Sequence, residues 1–527
     1  MSSSHPLQDQ SQRLPRRTLF VTLGCLTASL FVSFFDQTAV TTAIPSIAKD
    51  LSDSSTISSW VGTSYLIANT NFQLLYGRLS DIFGRKQVFL FSLLCLLVGN
   101  LVSGFSNNPI MLFVFRGISG LGGGGINCLV MITFSDLLTT RERGKYFGFV
   151  ALSTTLGNGI GPLIGGVLSE KASWRWTFWI SCPISVVCGL LVICFVPLKP
   201  VTGSFKEKLK QLDYLGFFLS LVGTIFVLVA ISGGGDNWPW KGAIFITLIV
   251  IGSLACIGFL LSEHYLAKIP IIPLHLFNHF QRSYLFLMCF LMGWAYFVDI
   301  YYYPLYLQNV RGWSPIMSGV LQLPSTSSSS VFGIIAGFIN SKTGHYVRCL
   351  YFGGAMWCLG TGLKILFGLH TSPGLLVGAN LIQGLGIGFT FQPTLLALLS
   401  HSNNHDRAIV TGLRNFFRCF GGSVGLIISG IVFNTIFKSR LRHLNLSDTE
   451  IEHIISNPDF SSISNKILSH EVKKAYLHCF KTIMIILTAM SAAMLVLSLM
   501  TKDGKEPETE KEAVIESSSD DKTNTSK

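Results

Sequence analysis

Apolar runs of roughly 20 residues, each long enough to cross a bilayer as a helix, follow one another along almost the whole chain with short polar stretches between them. They begin near Leu19, Ser59, Val88, Ile110, Tyr146, Trp176, Leu212, Gly242, Ser283, Pro315, Tyr346, Pro373, Ile409 and Leu477, fourteen in all. An even number returns both ends of the chain to one side. Fifteen Lys and Arg residues, among them Arg78, Arg85, Lys86, Arg141 and Arg143, fall on the loops of that side, against five on the other, Lys49, Lys171, Arg175, Lys241 and Arg311. Basic loops stay in the cytosol, so both termini are expected there.

The runs carry an internal repeat. At a shift of 264 positions Gly120, Gly122, Gly124, Arg143, Gly148, Gly157 and Gly161 fall on Gly384, Gly386, Gly388, Arg407, Gly412, Gly421 and Gly425. This pairs the fourth and fifth runs with the twelfth and thirteenth, two more than a simple doubling of six would give. The expected domains are therefore a cytosolic tail, 1–18, a six-helix bundle, 19–200, two inserted helices, 201–270, a second six-helix bundle, 271–500, and a disordered cytosolic tail, 501–527. A polar stretch, 438–474, forms a long non-cytosolic loop in which Asn445-Leu446-Ser447 is a glycosylation sequon. Duplicated bundles of this kind are a transporter signature more than an enzyme or receptor one.

Composition agrees with a membrane solvent: of 527 residues 49% are hydrophobic and 13% charged, and mean hydropathy is +0.51. The net charge of +12 sits between the apolar runs and reads as topology, not as a nucleic-acid surface. The twelve cysteines are scattered without a CxxC pair, which excludes a zinc ribbon or a disulfide framework. No phosphate-cradling loop, metal-ligand cluster or nucleophile-base spacing is present, so neither a cofactor nor an enzymatic activity is expected.

Ionisable residues inside the runs cost a few kcal/mol each and are functional by default. Asp36 and Arg116 each lie a similar distance from the non-cytosolic end of their runs, about 10 Å deep at roughly 1.5 Å per residue, and could pair. A carboxylate facing a guanidinium in a cavity is ionised while paired and neutralised when protons reach it, the elementary step of proton coupling. Asp299 follows from Asp36 at a shift of 263, yet the repeat partner of Arg116 is Asn380, so Asp299 is expected to be free for a cationic substrate group. Tyr296, Gln73, Asn158, Gln322 and Gln383 are further candidates for substrate contact. Arg414 and Arg418, able to attract anions, are expected near the cytosolic end, facing loops or headgroups.

Two glycine motifs carry a resemblance. Gly77-Arg78-Leu79-Ser80-Asp81-Ile82-Phe83-Gly84-Arg85-Lys86 resembles the GxLxDxxGRK loop of the major facilitator superfamily, with a faded partner at 337–345. The stretch Gly157-Asn158-Gly159-Ile160-Gly161-Pro162-Leu163-Ile164-Gly165-Gly166 is similar to the fifth-helix signature of its antiporters. Fourteen runs, with Asp36-Gln37-Thr38 in the first, resemble its fourteen-helix drug:proton antiporters. Arg116-Gly117-Ile118-Ser119-Gly120, Trp174-Arg175-Trp176 and Asp406-Arg407-Ala408 are most similar to the yeast vacuolar basic-amino-acid transporters.

The resemblance implies an all-α major facilitator fold functioning as a monomer in a lipid bilayer. Its activity would be exchange of protons for lysine, histidine or arginine at the vacuolar membrane. Drug:proton efflux at the plasma membrane and a non-transporting nutrient sensor are the alternatives. The resemblance also implies conformational roles for Gly77, Asp81, Gly84, Arg85 and Lys86 at the loop, and for Gly157, Gly161, Pro162, Gly165 and Gly166 where the halves would rock.

Overall fold

The computed structural model describes residues 14–51, 54–138, 140–198, 213–233, 241–267, 270–402, 406–444 and 466–503, with isolated positions at 201, 239, 447, 450–451 and 454. Asn445 and residues 504–527, hence the sequon and most of the C-terminal tail, lie outside them. The described residues form an all-helical bundle. Its long helices are α1 (Arg16–Asp50), α2 (Ser54–Phe83), α3 (Arg85–Gly104), α4 (Pro109–Leu137), α5 (Thr140–Lys171), α6 (Ser181–Phe195), α7 (Tyr214–Gly233) and α8 (Ala243–Tyr265). They continue with α9 (Phe280–Asn309), α10 (Pro315–Thr343), α11 (Tyr346–Lys364), α12 (Pro373–Ser400), α13 (Arg407–Arg442) and α14 (Lys466–Leu499). A five-residue helix, Arg175–Trp179, leads into α6. The loop expected over 438–474 is helical at both ends, because α13 runs on to Arg442 and α14 starts at Lys466.

Local chemistry starts several of these helices. Asn108, Ser314 and Ser372 each accept a backbone N–H of the first turn with their side chains, and each is followed by proline, whose missing N–H is no loss at that position. Gly84, between α2 and α3, has φ +98°, a backbone that side-chain-bearing residues rarely adopt.

Among the described residues, ten of the helices are long and apolar enough to cross a membrane by length and composition. α2, α5, α10 and α11 are not among them. The physical reason is visible in three: α5 and α10 turn Thr155, Asn158, Gln322 and Ser330 toward an internal cavity, and α2 carries Asn69, Asn71 and Gln73 buried among its neighbours, which dilutes their apolar character. The fourth, α11, ends on a fully buried lysine, Lys364.

The repeat is a packing rule. Hydrophobicity gives helices no reason to associate in lipid, so close approach through small residues takes over. A Cβ on Gly124 of α4 would stand 2.6 Å from the Asn69 carbonyl of α2, and one on Gly388 of α12 would stand 2.7 Å from the Gly333 nitrogen of α10. Gly157 on α5 faces Phe31 and Phe34 of α1, while its counterpart Gly421 on α13 faces Phe290 of α9. Within each half the same helices therefore meet through the same glycines. α5 against α10 and α2 against α13 join one half to the other. α7 and α8 pair with each other, and α7 touches the outside of α2 through Phe217 and Phe72, ring centroids 6.0 Å apart. Ile244, Val250, Leu254 and Ile257 of α8 stay exposed, as side chains facing lipid would.

Candidate functional site: a cavity between the halves

A cavity of about 1970 Å³ lies between the two halves. It reaches Ser46 on α1, Glu170 on α5, Asn309 on α9, Ser314 on α10 and Lys438 and Arg442 on α13. These residues sit at the ends of their helices opposite the chain's amino end, so the mouth lies on the face away from that end. Toward the other end the halves touch. A Cβ on Gly77 would stand 3.2 Å from the Ala408 carbonyl oxygen, one on Gly412 3.2 Å from that of Gln73, and one on Gly148 2.8 Å from Ile334. Midway, the Thr155 and Ser330 hydroxyls meet across α5 and α10.

The closed end also holds the loop motif. Arg85 bridges Asp81 at 2.7 Å and Asp136 at 2.9 Å, tying α2 and α3 to α4. Asp81 of the loop motif is thus an ion-pair partner of Arg85. Lys86 donates to the Ile193 carbonyl at 2.9 Å. Arg78 donates to the Pro270 carbonyl at 2.7 Å, fastening the segment that enters the second half.

The expected pair exists: Arg116 Nη1 lies 3.1 Å from Asp36 Oδ2, with both side chains buried. The Arg116 guanidinium stands over the Tyr65 ring at 4.5 Å, and Asn100 adjoins Asp36. Arg116 and Tyr65 line the cavity wall, with Asp36 fully buried behind them.

The second half corrects the reading of Asp299. It is not a free acid: Lys364 Nζ donates to both carboxylate oxygens, at 2.8 and 2.9 Å, in a pocket sealed from the cavity. Lys364 also stands 4.5 Å from the Tyr303 ring centroid. Asn380 indeed replaces the arginine, but the cation has moved to the end of α11. A signal was available, since Lys364 stands 264 positions after Asn100, the neighbour of Asp36.

Of the other expected contacts, Asn158, Gln322 and Tyr296 line the cavity. Gln73 does not: it is buried between α2 and α13, bonded to Asn69 Oδ1 at 2.5 Å and against Cys419. Gln383 is buried in the second half, packed on Gly360. On α5, Gly157, Gly161 and Gly165 all pack on α1 inside the first half, whereas Thr155, Gly159 and Pro162 look toward the cavity and α10. The glycine face is thus an internal joint, and the opposite face of the helix meets the other half.

Arg414 and Arg418 depart furthest from expectation. Both line the cavity wall near its closed end, and neither faces headgroups. Arg414 is buried and donates to Asn415 Oδ1 at 2.9 Å and the Phe391 carbonyl at 2.8 Å. Arg418 stands 5.6 Å from the Phe391 ring centroid. The Nε of each is buried without a partner, and neither arginine meets a carboxylate among the described residues. Among the described residues, Arg116, Arg414, Arg418, Lys438 and Arg442 line the wall, against one acid, Glu170, at the rim. An aromatic strip, Tyr296, Phe297, Tyr301, Tyr302 and Phe391, completes it.

Comparison with known proteins gives this geometry a setting. Residues 26–426 match the family model described as Major Facilitator Superfamily. Citrate exporter 1 of Yarrowia lipolytica is 37% identical over 95% of this chain and 75% of that protein. Efflux pump dotC of Dothistroma septosporum is 33% identical over 80% of this chain and 73% of its own. The crystal structure of the human organic anion transporter MFSD10 superposes with a TM-score of 0.56 over 92% of this chain and all of that one, at 13% identity, a likeness of fold alone.

Proposed function

Because the chain belongs to the major facilitator superfamily, we propose that it exports a small organic polyanion, a polycarboxylate such as citrate, by exposing the central cavity alternately to the two sides of a membrane. The observation that carries this reading is the arginine pair Arg414 and Arg418, cavity-facing and without a carboxylate partner among the described residues. Guanidinium groups in that setting match carboxylates bidentately. The name of the Yarrowia lipolytica relative points the same way. Basic amino acids lose their anchor, since Asp299 is already held by Lys364 and the wall would repel a second cation.

Fourteen spans, with α7 and α8 inserted between two six-helix bundles, fit the chain best, because the four helices below the apolar threshold belong to the same two bundles. Asp36 with Arg116 is the group that could couple a proton, being buried, ionisable and next to the cavity. Vacuolar and plasma membranes both present the same face to the cytosol, and export from it serves either. The aromatic strip favours a second reading, efflux of a lipophilic aromatic solute, in line with the relatives named efflux pumps.

Uptake of radiolabelled citrate, lysine and a lipophilic dye into liposomes holding the purified protein separates these readings. Citrate flux is expected, reduced at least about tenfold in Arg414→Gln, because one hydrogen-bonded charge pair is worth more than 1.4 kcal/mol. Lysine flux without citrate flux would reverse the assignment.

A further inference from the structure

A second basic pocket lies in the second half, apart from the central cavity, and two turns and the start of a helix build it. The turn from α9 into α10 reverses at Gly312, whose φ of +68° is a left-handed backbone that glycine adopts without strain. The Arg311, Gly312 and Trp313 N–H groups return to the Tyr306, Gln308 and Leu307 carbonyls and close the end of α9. The turn from α11 into α12 is braced at Gly368, whose N–H donates to Thr371 Oγ1 at 2.6 Å and whose carbonyl accepts from the Tyr306 hydroxyl at 2.7 Å. Arg311 joins the two turns. Its Nη1 donates to the Leu369 carbonyl at 2.6 Å, and its guanidinium stands 4.9 Å from the Trp313 ring centroid.

His370 from the second turn, with His470 and Lys473 from the first turns of α14, completes a hollow of about 350 Å³. None of its residues lines the central cavity, yet Ser314, the neighbour of Trp313, does so at the mouth. Among the described residues no carboxylate lines the hollow. Glu471, beside His470 in sequence, is held by Lys474 at 2.8 Å. We propose that this pocket binds a phosphate group, presented by free phosphate or by the headgroup of a phospholipid. Leu369 takes one N–H of Arg311, and a guanidinium has five. Its planar fork matches two phosphate oxygens, and the Lys473 ammonium meets a third as a point charge. Each imidazole adds an N–H donor in either protonation state. Donors arriving from three separate segments suit a tetrahedral oxyanion, whereas one fork alone would satisfy a flat carboxylate. The occupant ties α14 to the turn that starts α10 at the cavity mouth.

The test uses the purified full chain in detergent at constant ionic strength and follows its melting temperature. The probes are inorganic phosphate, dioctanoyl phosphatidic acid, and dioctanoylglycerol, which has the same chains without the phosphate. Stabilisation by inorganic phosphate and phosphatidic acid assigns the site to phosphate from either source. Stabilisation by phosphatidic acid alone assigns it to the lipid. His470→Ala combined with Lys473→Ala leaves the Arg311 contacts in place and is expected to weaken the apparent affinity about tenfold or more, the scale of one charge-assisted hydrogen bond. Lys473→Arg, which keeps the charge, should keep the response, and it carries the test should the double variant elute as misfolded protein. A response that survives undiminished in the double variant belongs to the arginines of the central cavity and overturns the proposal. So does equal stabilisation by dioctanoylglycerol, or no response to either phosphate probe.

Discussion

Each half of the molecule buries one aspartate beside an aromatic ring, and the two halves neutralise it differently. In the first, Asp36 of α1 meets Arg116 of α4, with Asn100 of α3 alongside. In the second, Asp299 of α9 meets Lys364 of α11, and α12 brings Asn380 instead. The repeat shift of 264 carries Asn100 onto Lys364 and Arg116 onto Asn380. Cation and amide have exchanged helices while the acid stayed in place. What the exchange changes is access. Arg116 lies on the cavity wall, whereas Lys364 is fully enclosed and bound to both oxygens of its partner. One fold thus holds a pair whose cation lines the cavity wall and another enclosed away from it, and the proposed proton coupling belongs to the first.

The largest effect should come from breaking the enclosed pair. Lys364→Met strands Asp299 in a dry pocket, and leaving one member of a buried ion pair costs about 3–5 kcal/mol. The variant is expected to lose most of its folded yield on size-exclusion chromatography, and adding Asp299→Asn should recover it. Asp36→Asn should be far milder for folding, since Arg116 keeps the Tyr65 ring and its place on the cavity wall. Its cost belongs to pH-dependent flux. Equal loss of folded protein in Lys364→Met and Asp36→Asn would erase the distinction between the halves.

A smaller effect, and a sharper test, comes from moving the cation. Arg116→Asn alone leaves Asp36 unpaired, and Asn100→Lys alone crowds a second cation against the first. Together they give the first half the arrangement of the second. The double variant is expected to regain at least about 1 kcal/mol over Arg116→Asn in thermal stability, the scale of coupling between residues in direct contact. It should nevertheless transport poorly, because its cation no longer stands on the cavity wall. Recovery of transport as well as stability would show that position on the wall does not matter.

How much of this was legible beforehand follows from the same exchange. The glycines that recur at 264 mark equivalent close helix approaches in the two halves, because a helix without side chains at one face has little choice but to be approached there. The Asp36 and Arg116 pair was legible from depth alone. Asp299 was misread because its partner was sought at the position corresponding to Arg116, and a repeat preserves backbone geometry better than it preserves which helix supplies a charge. Arg414 and Arg418 were misread for another reason. Their rotation about α13 is set by how that helix packs on α9 and α2, and polar residues near the end of an apolar run look alike whether they face headgroups or a cavity. Gln73 and Gln383 failed in the same way, as amides that packing turned inward.

The smallest effect lies at the rim on the side of the cavity mouth, where the halves differ again. Asp50, at the end of α1, accepts from the Trp174 indole at 3.0 Å and from Arg175 Nη1 at 2.8 Å. A shift of 264 replaces this pair by Ser314 and Ser439, and Ser314 serves instead as the N-cap of α10, accepting from the Met317 N–H at 3.2 Å. The Trp174 hydrogen bond, then that from Arg175, hold the Asp50 carboxyl below its ordinary range. A depressed acid stabilises the fold above the unfolded pKa, roughly 3.9 for Asp, and loses that contribution as pH falls through the lower, folded value. The clasp is therefore intact at neutral pH and at the acidity of an acidic organelle. Its exposure keeps it small, below about 1 kcal/mol. Asp50→Asn should lower the melting temperature slightly and equally at pH 7 and pH 5, with the difference from the parent vanishing below about pH 4. Ser314→Ala should cost about 1 kcal/mol at every pH, because a hydroxyl cap does not titrate. A difference for Asp50→Asn that disappeared between pH 7 and pH 5 would mean that the rim of the first half senses acid directly and that Asp36 is not the only titrating group in play.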